Sequence, residues 1–349
     1  MVASYYLIKP LYSIAWHVVN LFRRQKLTVL YCDDAFDVTL FKNIQKHLPP
    51  IPIIAKNKTV VAELAKKGYT CVGTLPCFPS GVIMFRNMAW KFPCNSIIKV
   101  GLEHGAYNFK KFSKASYYNM FNVFLMTSSH DVERIVKIGV KNVKAIGYPK
   151  IDDVFDGSLS DNSLSALKAS LHLDSNKKTI LFSATWDGSG MSAVDKWYNR
   201  LGEIAQRYNV LVTVHPWVSN QYKDHLQSLD FCYFVNDDEI LRYIMISDVC
   251  IGDTNSLIAE FCLLNKPIIT FRVLPTPRTL PDIIAMIDRI SIRINTFDEI
   301  FSVLEAIDAE SEDQKKARSQ AVDLFFDTPD GNAGRRAAEV IKEVMPFLS

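Results

Sequence analysis

Val249-Cys250-Ile251-Gly252-Asp253-Thr254-Asn255-Ser256-Leu257-Ile258-Ala259-Glu260-Phe261-Cys262-Leu263-Leu264-Asn265-Lys266-Pro267-Ile268-Ile269-Thr270-Phe271 decides the fold. It reads as an extended apolar run, a polar loop, an apolar helix over Leu257 to Leu264, and a second extended run from Pro267 to Phe271. A strand, a helix and a strand in this order imply parallel pairing through a right-handed crossover. The pattern extends upstream. Thr179 to Ser183, Val210 to Val214 and Phe231 to Val235 read as strands, and Val194 to Tyr208, Gln221 to Leu229 and Glu239 to Ile246 as helices. Further helices are expected over Asp298 to Ala309 and Gly334 to Val344.

The first half repeats this grammar. Leu27 to Tyr31, Thr70 to Val72, Ile97 to Gly101, Val123 to Thr127 and Val143 to Gly147 read as extended, and Phe36 to His47, Thr59 to Lys67 and Ser129 to Ile138 as helical. Ile51-Pro52-Ile53-Ile54 reads as an irregular or edge strand, because proline cannot donate to a ladder. Asp156 to Ser163, rich in Asp, Ser and Gly, reads as a link. The expected architecture is α/β, with two doubly wound Rossmann-like domains over residues 26–155 and 156–327, a segment 1–25 before them and a helix in 328–349 after them. Open parallel sheets bind ligands at the carboxyl ends of their strands, so a cleft between the domains is the expected site.

Composition agrees with two cores. At 349 residues, 48% hydrophobic and 22% charged, the chain is too long for one ordinary core. A formal net charge of +3 gives no global attraction to nucleic acid, and none is expected as a partner. Seven cysteines without a CxxC pair, several inside apolar runs, read as reduced core thiols of a cytoplasmic protein. The pairs Asp33-Asp34, Asp152-Asp153 and Asp237-Asp238 read as solvated or capping carboxylates, and no metal site is expected.

From Tyr5 to Phe22 the chain is apolar but interrupted by Lys9, Pro10 and His17, and Arg23-Arg24-Gln25-Lys26 follows. That is marginal for a spanning helix, and it lacks the layout of a secretory signal. Tyr5, Tyr6 and Trp16 beside a basic end suit a helix lying in a membrane interface; packing on the protein's own core is the alternative.

Five polar clusters fall at predicted strand ends. Glu103-His104-Gly105 offers a histidine that can serve as general base, with a glycine that leaves room for a ligand; a structural hydrogen-bonding role is the alternative. Gly147-Tyr148-Pro149-Lys150-Ile151-Asp152 reads as a rigid turn closing the first domain. In Ser183-Ala184-Thr185-Trp186-Asp187-Gly188, Thr185 suits a phosphate or a cap. His215-Pro216 places a second imidazole after a strand. Gly252-Asp253-Thr254-Asn255-Ser256 leads into a helix, where backbone N–H groups with the Asn255 and Ser256 side chains suit a diphosphate or a plain cap.

In this order, these segments resemble the CDP-glycerol glycerophosphotransferase family of teichoic-acid primases and polymerases. The resemblance rests on His104-Gly105, Gly147 to Asp152 with Lys150 in place of arginine, Ala184-Thr185-Trp186-Asp187, His215-Pro216, Gly252 to Ser256 with Asn265-Lys266-Pro267-Ile268-Ile269, and Asp330-Gly331-Asn332-Ala333-Gly334-Arg335-Arg336. It covers roughly residues 100 to 341. It implies a GT-B-type fold, a donor nucleotide held by the second domain, and a C-terminal helix returning toward the first. It also implies active-site roles for His104, His215, Asn255 and Ser256 and a donor-phosphate role for Arg336, with Thr185 and Thr254 beside the phosphates. Gly105, Tyr148, Lys150, Asp152, Trp186 and Asp253 then support the site. The chain departs from the family pattern at Asp187, where an arginine is usual, at Asn255, where a serine is usual, and around Glu103.

The expected reaction moves glycerol phosphate from CDP-glycerol to a hydroxyl of a lipid-linked or cell-surface polysaccharide acceptor and releases CMP, with no cofactor beyond the donor. The expected location is the cytoplasmic face of the membrane. Lys110-Lys111 with Lys114 reads as a patch for an anionic acceptor or lipid headgroups, or as a solvated face. The alternatives are a GT-B glycosyltransferase using a CMP- or UDP-sugar, a nucleotide-sugar 2-epimerase, and an inactive nucleotide- or glycan-binding protein.

Overall fold

A computed structural model describes residues 3–236 and 239–348, with side chains from Leu7 onward. Asp237-Asp238 and the side chains of Tyr5 and Tyr6 lie outside the described residues. The chain divides into two compact units: Met1–Gly105, Phe112–Asp156 and Phe326–Ser349 form the first, and Ala106–Lys111 with Gly157–Phe325 the second.

The first unit is built on seven parallel strands: β1 (Thr28–Cys32), β2 (Ile53–Ala55), β3 (Cys71–Thr74), β4 (Gly81–Phe85), β5 (Ile98–Leu102), β6 (Val123–Met126) and β7 (Val143–Ala145), in the order β3-β2-β1-β4-β5-β6-β7. Every residue of β1 and β4 is buried, as expected for strands covered on both faces. β4 was not anticipated: its five apolar residues carry no periodicity, and they follow the turn-like Pro79-Ser80. β2 is internal, not an edge. Pro52 stands just before the ladder and takes part only through its carbonyl, which accepts the Leu30 N–H at 2.9 Å, so its missing donor costs nothing.

The second unit holds six parallel strands: β8 (Thr179–Ala184), β9 (Asn209–Val214), β10 (Tyr233–Phe234), β11 (Val249–Gly252), β12 (Ile268–Phe271) and β13 (Ile292–Ile294), ordered β10-β9-β8-β11-β12-β13. The long helix expected over Val194 to Tyr208 is instead a 3₁₀ turn at Val194–Lys196 and a short helix at Leu201–Ala205. Two anchors break it: the Ala193 N–H is held by Asp253, and Trp197 is fully buried against Phe182, with ring centroids 5.2 Å apart. The helix at Asp161–Ser170 begins inside the expected link and buries none of its residues.

In both sheets strand order reverses once, between β1 and β4 and between β8 and β11. Such switch points open crevices at the strands' carboxyl ends. In the first unit ion pairs fill the crevice: the buried Asp37 pairs with Arg86 at 2.6 Å, and Asp33 with Lys91 at 3.0 Å and Lys56 at 3.3 Å. In the second it is lined by the predicted polar loops.

The N-terminal helix, Ala3–Leu21, packs on the first unit through one face. Tyr12 donates to the Cys77 carbonyl, Trp16 Nε1 to the Pro79 carbonyl at 2.5 Å, and Asn20 to the Phe78 carbonyl at 3.1 Å. The Trp16 ring therefore faces the protein and not an interface, because its indole N–H finds a buried partner there. Leu7, Leu11, Ile14, Val18, Leu21 and Phe22 are exposed on the other side. Among the described residues no helix is long and apolar enough to cross a membrane. All seven cysteines are free thiols.

Candidate active site

At the second unit's switch point, the loops leaving β8 and β11 are tied together by one carboxylate. Asp253, wholly buried, accepts the backbone N–H groups of Thr185 and Ala193 at 3.0 Å and its neighbour Thr254 at 2.6 Å. Burial pushes its carboxyl up to about 6, against the pull of those N–H groups and of Lys110. Lys110 donates from Nζ to the Thr185 hydroxyl at 3.3 Å. It is carried by the segment Ala106–Lys111, which is pinned to the second unit by Lys111 N–H on the Arg278 carbonyl at 3.1 Å and by Tyr107 and Phe109 against Phe325. Burial, then the charge of Arg278, lowers the Lys110 ammonium below its ordinary value. Lys110 beside Thr185 and Asp253 gives the switch-point loops a cation that favours an anion.

The expected anion loop is partly self-satisfied. Asn255 donates to Ser183 Oγ at 3.1 Å and accepts the Leu257 N–H at 3.0 Å, so its side chain caps the helix Leu257–Leu263. Thr254 is buried, with its hydroxyl 3.4 Å from the Met191 carbonyl. Ser256, half-buried, makes no capping bond.

His215 follows β9 and is exposed. Its Nδ1 accepts the Trp217 N–H at 3.1 Å, which places the neutral ring's proton on Nε2 and makes that nitrogen a donor. Trp217 packs edge-on against both His215 and Trp186, at 5.4 and 5.6 Å. Asp187, at the position where arginine was expected, accepts the Ser219 N–H at 2.9 Å and its hydroxyl at 2.5 Å, fastening the β8 loop to the β9 loop.

His104, after β5 in the first unit, has the opposite setting. Its Nδ1 lies 2.9 Å from Glu103 Oε1, and the same oxygen accepts its backbone N–H at 3.2 Å. The His104 side chain is 49% exposed and that of Glu103 only 12%. A carboxylate this close to Nδ1 favours the tautomer protonated there, whose Nε2 carries the lone pair a base requires. Glu103 also lines a small recess with Thr127, Gly147 and Tyr148, next to Gly105 at the strand end.

Two of the sequence motifs form a single clasp in the first unit. Asp152 accepts the Ala333 and Gly334 N–H groups at 3.2 and 2.7 Å, capping the helix Ala333–Val344. Arg336 donates from Nε to the Ile146 carbonyl at 2.9 Å and from Nη1 to Asp330 at 2.8 Å. Gly147 has φ +83°, and a Cβ there would stand 2.8 Å from the Arg336 guanidinium. Tyr148 stacks on Phe326, and Lys150 is buried in the turn. Asp153 pairs with Lys42 and Lys46 at 3.5 and 3.4 Å.

Sequence reasoning missed Glu103 as a partner of His104, although adjacency to a strand-end histidine was a usable signal. It also treated Lys110, Lys111 and Lys114 as one patch. Lys110 and Lys111 group with the second unit and Lys114 with the first.

The family description CDP-glycerol:poly(glycerophosphate) glycerophosphotransferase matches residues 95–343. The chain is 29% identical over 225 residues to a teichoic acid poly(ribitol-phosphate) polymerase of Bacillus spizizenii, covering 58% of this chain and 34% of that one. It is 25% identical over 169 residues to a teichoic acid glycerol-phosphate primase of Bacillus subtilis, covering 46% and 42%. The matched stretch thus spans about a third of the first relative's length and about a quarter of the next two, at 27% and 25%. Among solved structures, the wall teichoic acid polymerase TagF superposes with a TM-score of 0.67 at 15% identity, covering 92% of this chain and 90% of that one. A UDP-GlcNAc 2-epimerase from Neisseria meningitidis gives 0.62 at 14% identity, covering 91% and 100%. These likenesses establish the GT-B fold class. The match over residues 95–343 takes in both histidine loops, the switch-point loop and the clasp, and the chain belongs to the CDP-glycerol:poly(glycerophosphate) glycerophosphotransferase family of enzymes.

Proposed function

We propose that this chain transfers glycerol phosphate from CDP-glycerol to a hydroxyl of a lipid-linked or cell-surface polysaccharide acceptor in teichoic-acid-type envelope synthesis, releasing CMP. The observation that carries this reading is the opposite setting of the two strand-end histidines. Glu103 beside Nδ1 favours the His104 tautomer with its lone pair on Nε2, whereas the Trp217 N–H on Nδ1 favours the His215 tautomer with its proton on Nε2. An in-line displacement needs one of each: a base for the acceptor hydroxyl and a donor for charge on the phosphates.

The acceptor oxygen forms a bond to the glycerol-bearing phosphorus, and the bond from that phosphorus to the bridging oxygen breaks. CMP leaves with the electron pair, and the hydroxyl proton passes to His104 Nε2. His215, Thr185, Lys110, Thr254, Ser256 and the backbone around Asn255 stabilise the diphosphate. Arg336 is assigned to the clasp, since its Nε and Nη1 are already held. A TagF structure soaked with CDPG supports the donor class.

CDP-ribitol is the second donor reading, because ribitol-phosphate polymerases are among the relatives, at 28% to 30% identity. CMP release from CDP-glycerol, CDP-ribitol, CMP-sugars and UDP-sugars, with membrane-extracted acceptor, separates the readings. Acceptor-dependent release from a CDP-alditol, lost in His104→Ala and His215→Ala, is expected. Turnover with a nucleotide sugar alone moves the function to glycosyl transfer.

For the membrane partner, we propose that the N-terminal helix lies on an anionic lipid surface at the inner face of the cell membrane. The stripe Leu7, Leu11, Ile14, Val18 and Leu21 recurs at helical spacing and ends beside the exposed Arg24 and Lys26. Because Tyr12 and Trp16 pack inward, deleting the segment would strip the core. Leu11→Glu with Ile14→Glu spares that packing face. Flotation with phosphatidylglycerol-containing vesicles is expected for the wild type and not for the double variant, and equal flotation would defeat the idea.

A further inference from the structure

We infer that Glu103 is a positioning residue for His104: its carboxylate fixes the imidazole with Nδ1 protonated and stabilises the imidazolium that forms when the acceptor hydroxyl gives up its proton. This rests on His104 being the base.

The geometry is specific. One carboxylate oxygen, Oε1, stands 2.9 Å from Nδ1 and accepts the backbone N–H of the same residue at 3.2 Å, so ring and backbone both face the same neighbouring carboxylate. Glu103 is shielded and His104 half open, so the carboxylate stands behind the ring and the ring toward solvent. A carboxylate that accepts from Nδ1 selects the tautomer whose Nε2 is unprotonated. The recess behind it is closed mainly by apolar side chains, Leu40, Phe85, Leu102, Leu125 and Met126, which strengthens the interaction by excluding water. Tyr118, from the helix Ala115–Tyr118, is in electrostatic contact with Glu103. Burial, with the charge of Glu103 adding to it, raises that phenol well above its ordinary value, so it stays neutral through the working pH range.

The proton balance is simple. The hydroxyl proton moves to Nε2, the ring becomes imidazolium with Nδ1–H still on Glu103, and the carboxylate keeps its charge throughout. Nε2 later returns the proton to water.

Two measurements on the full chain test the role. Ring ¹⁵N shifts of His104, assigned with His104→Gln, should show Nδ1–H as the neutral tautomer in the wild type and a mixture of tautomers in Glu103→Gln. Initial rates of CMP release from CDP-glycerol should fall about tenfold in Glu103→Gln and about a hundredfold in Glu103→Ala, within the range a general base supplies. The KM for CDP-glycerol should not change, and Glu103→Asp should restore part of the rate. If His104→Ala is inactive while Glu103→Gln and Glu103→Ala keep wild-type kcat and tautomer, the inference is overturned and the base survives. If His104→Ala keeps full rate, the base assignment falls and takes this role with it.

Discussion

Asp152 Oδ2 accepts the backbone N–H of Gly334 at 2.7 Å across 182 positions of sequence, and through it the turn after β7 caps the C-terminal helix. Loss of such a cap costs about 1–2 kcal/mol. Asp152→Ala is expected to lower the stability of the first unit by that amount and to make the segment after Asp330 more open to proteolysis. Urea unfolding with limited proteolysis checks both. An unchanged midpoint would show that the bond contributes nothing.

Gly334 itself should resist substitution. Alanine would gain about 1 kcal/mol of helix propensity. Its Cβ, however, would lie 2.5 Å from the Asn43 carbonyl oxygen, a backbone atom that cannot swing away. Overpacking of this kind costs about 1–3 kcal/mol, so the clash should win. Gly334→Ala is expected to unfold at lower temperature than the wild type.

Much of this arrangement was legible in the sequence. The strands that carry the site, β5, β8, β9 and β11, are short apolar runs ending in polar residues, and that punctuation places Glu103, Thr185, His215 and Asp253 at strand ends. What the residues do there was less legible. Asn255 and Thr185 read as phosphate ligands, and in the structure their side chains also bond Ser183, the Leu257 N–H and Lys110, contacts the sequence does not signal. Asp152 and Arg336 read as site residues, and the structure gives them partners in backbone groups more than 180 residues away, pairings of which a single sequence carries no signal. The membership of Lys110 in the second unit was not legible, because it depends on the Arg278 carbonyl and the Phe325 ring, both more than a hundred residues downstream.

That placement of Lys110 has a kinetic consequence. Hydrogen bonds to charged groups contribute about 1.5–3 kcal/mol, and partial exposure puts Lys110 near the low end. Lys110→Ala is expected to raise the KM for the CDP-alditol donor about tenfold with a smaller fall in kcat. Lys114→Ala, in the first unit, should leave donor KM unchanged. Equal effects from both would return the tract to a general basic patch.

The buried Asp253 gives a pH dependence whose sign can be worked out. Its folded pKa, about 6, lies above the unfolded value of about 3.9. Below about pH 4 both states hold the proton and the group contributes no difference. Between about 4 and 6 the native state binds more protons than the unfolded chain, so stability from this group falls as pH rises. Above about 6 the ionised carboxylate carries a cost on the order of 3 kcal/mol. Asp253→Asn removes this titration but leaves an amide facing the Thr185, Ala193 and Thr254 N–H groups, a penalty that does not vary with pH. The melting temperature of the variant should therefore lie furthest below that of the wild type near pH 4, and the gap should narrow toward pH 7. Thermal unfolding of the two proteins in parallel across that range measures the gap directly. A gap that widens with pH would mean that the three N–H groups outweigh burial and hold Asp253 ionised.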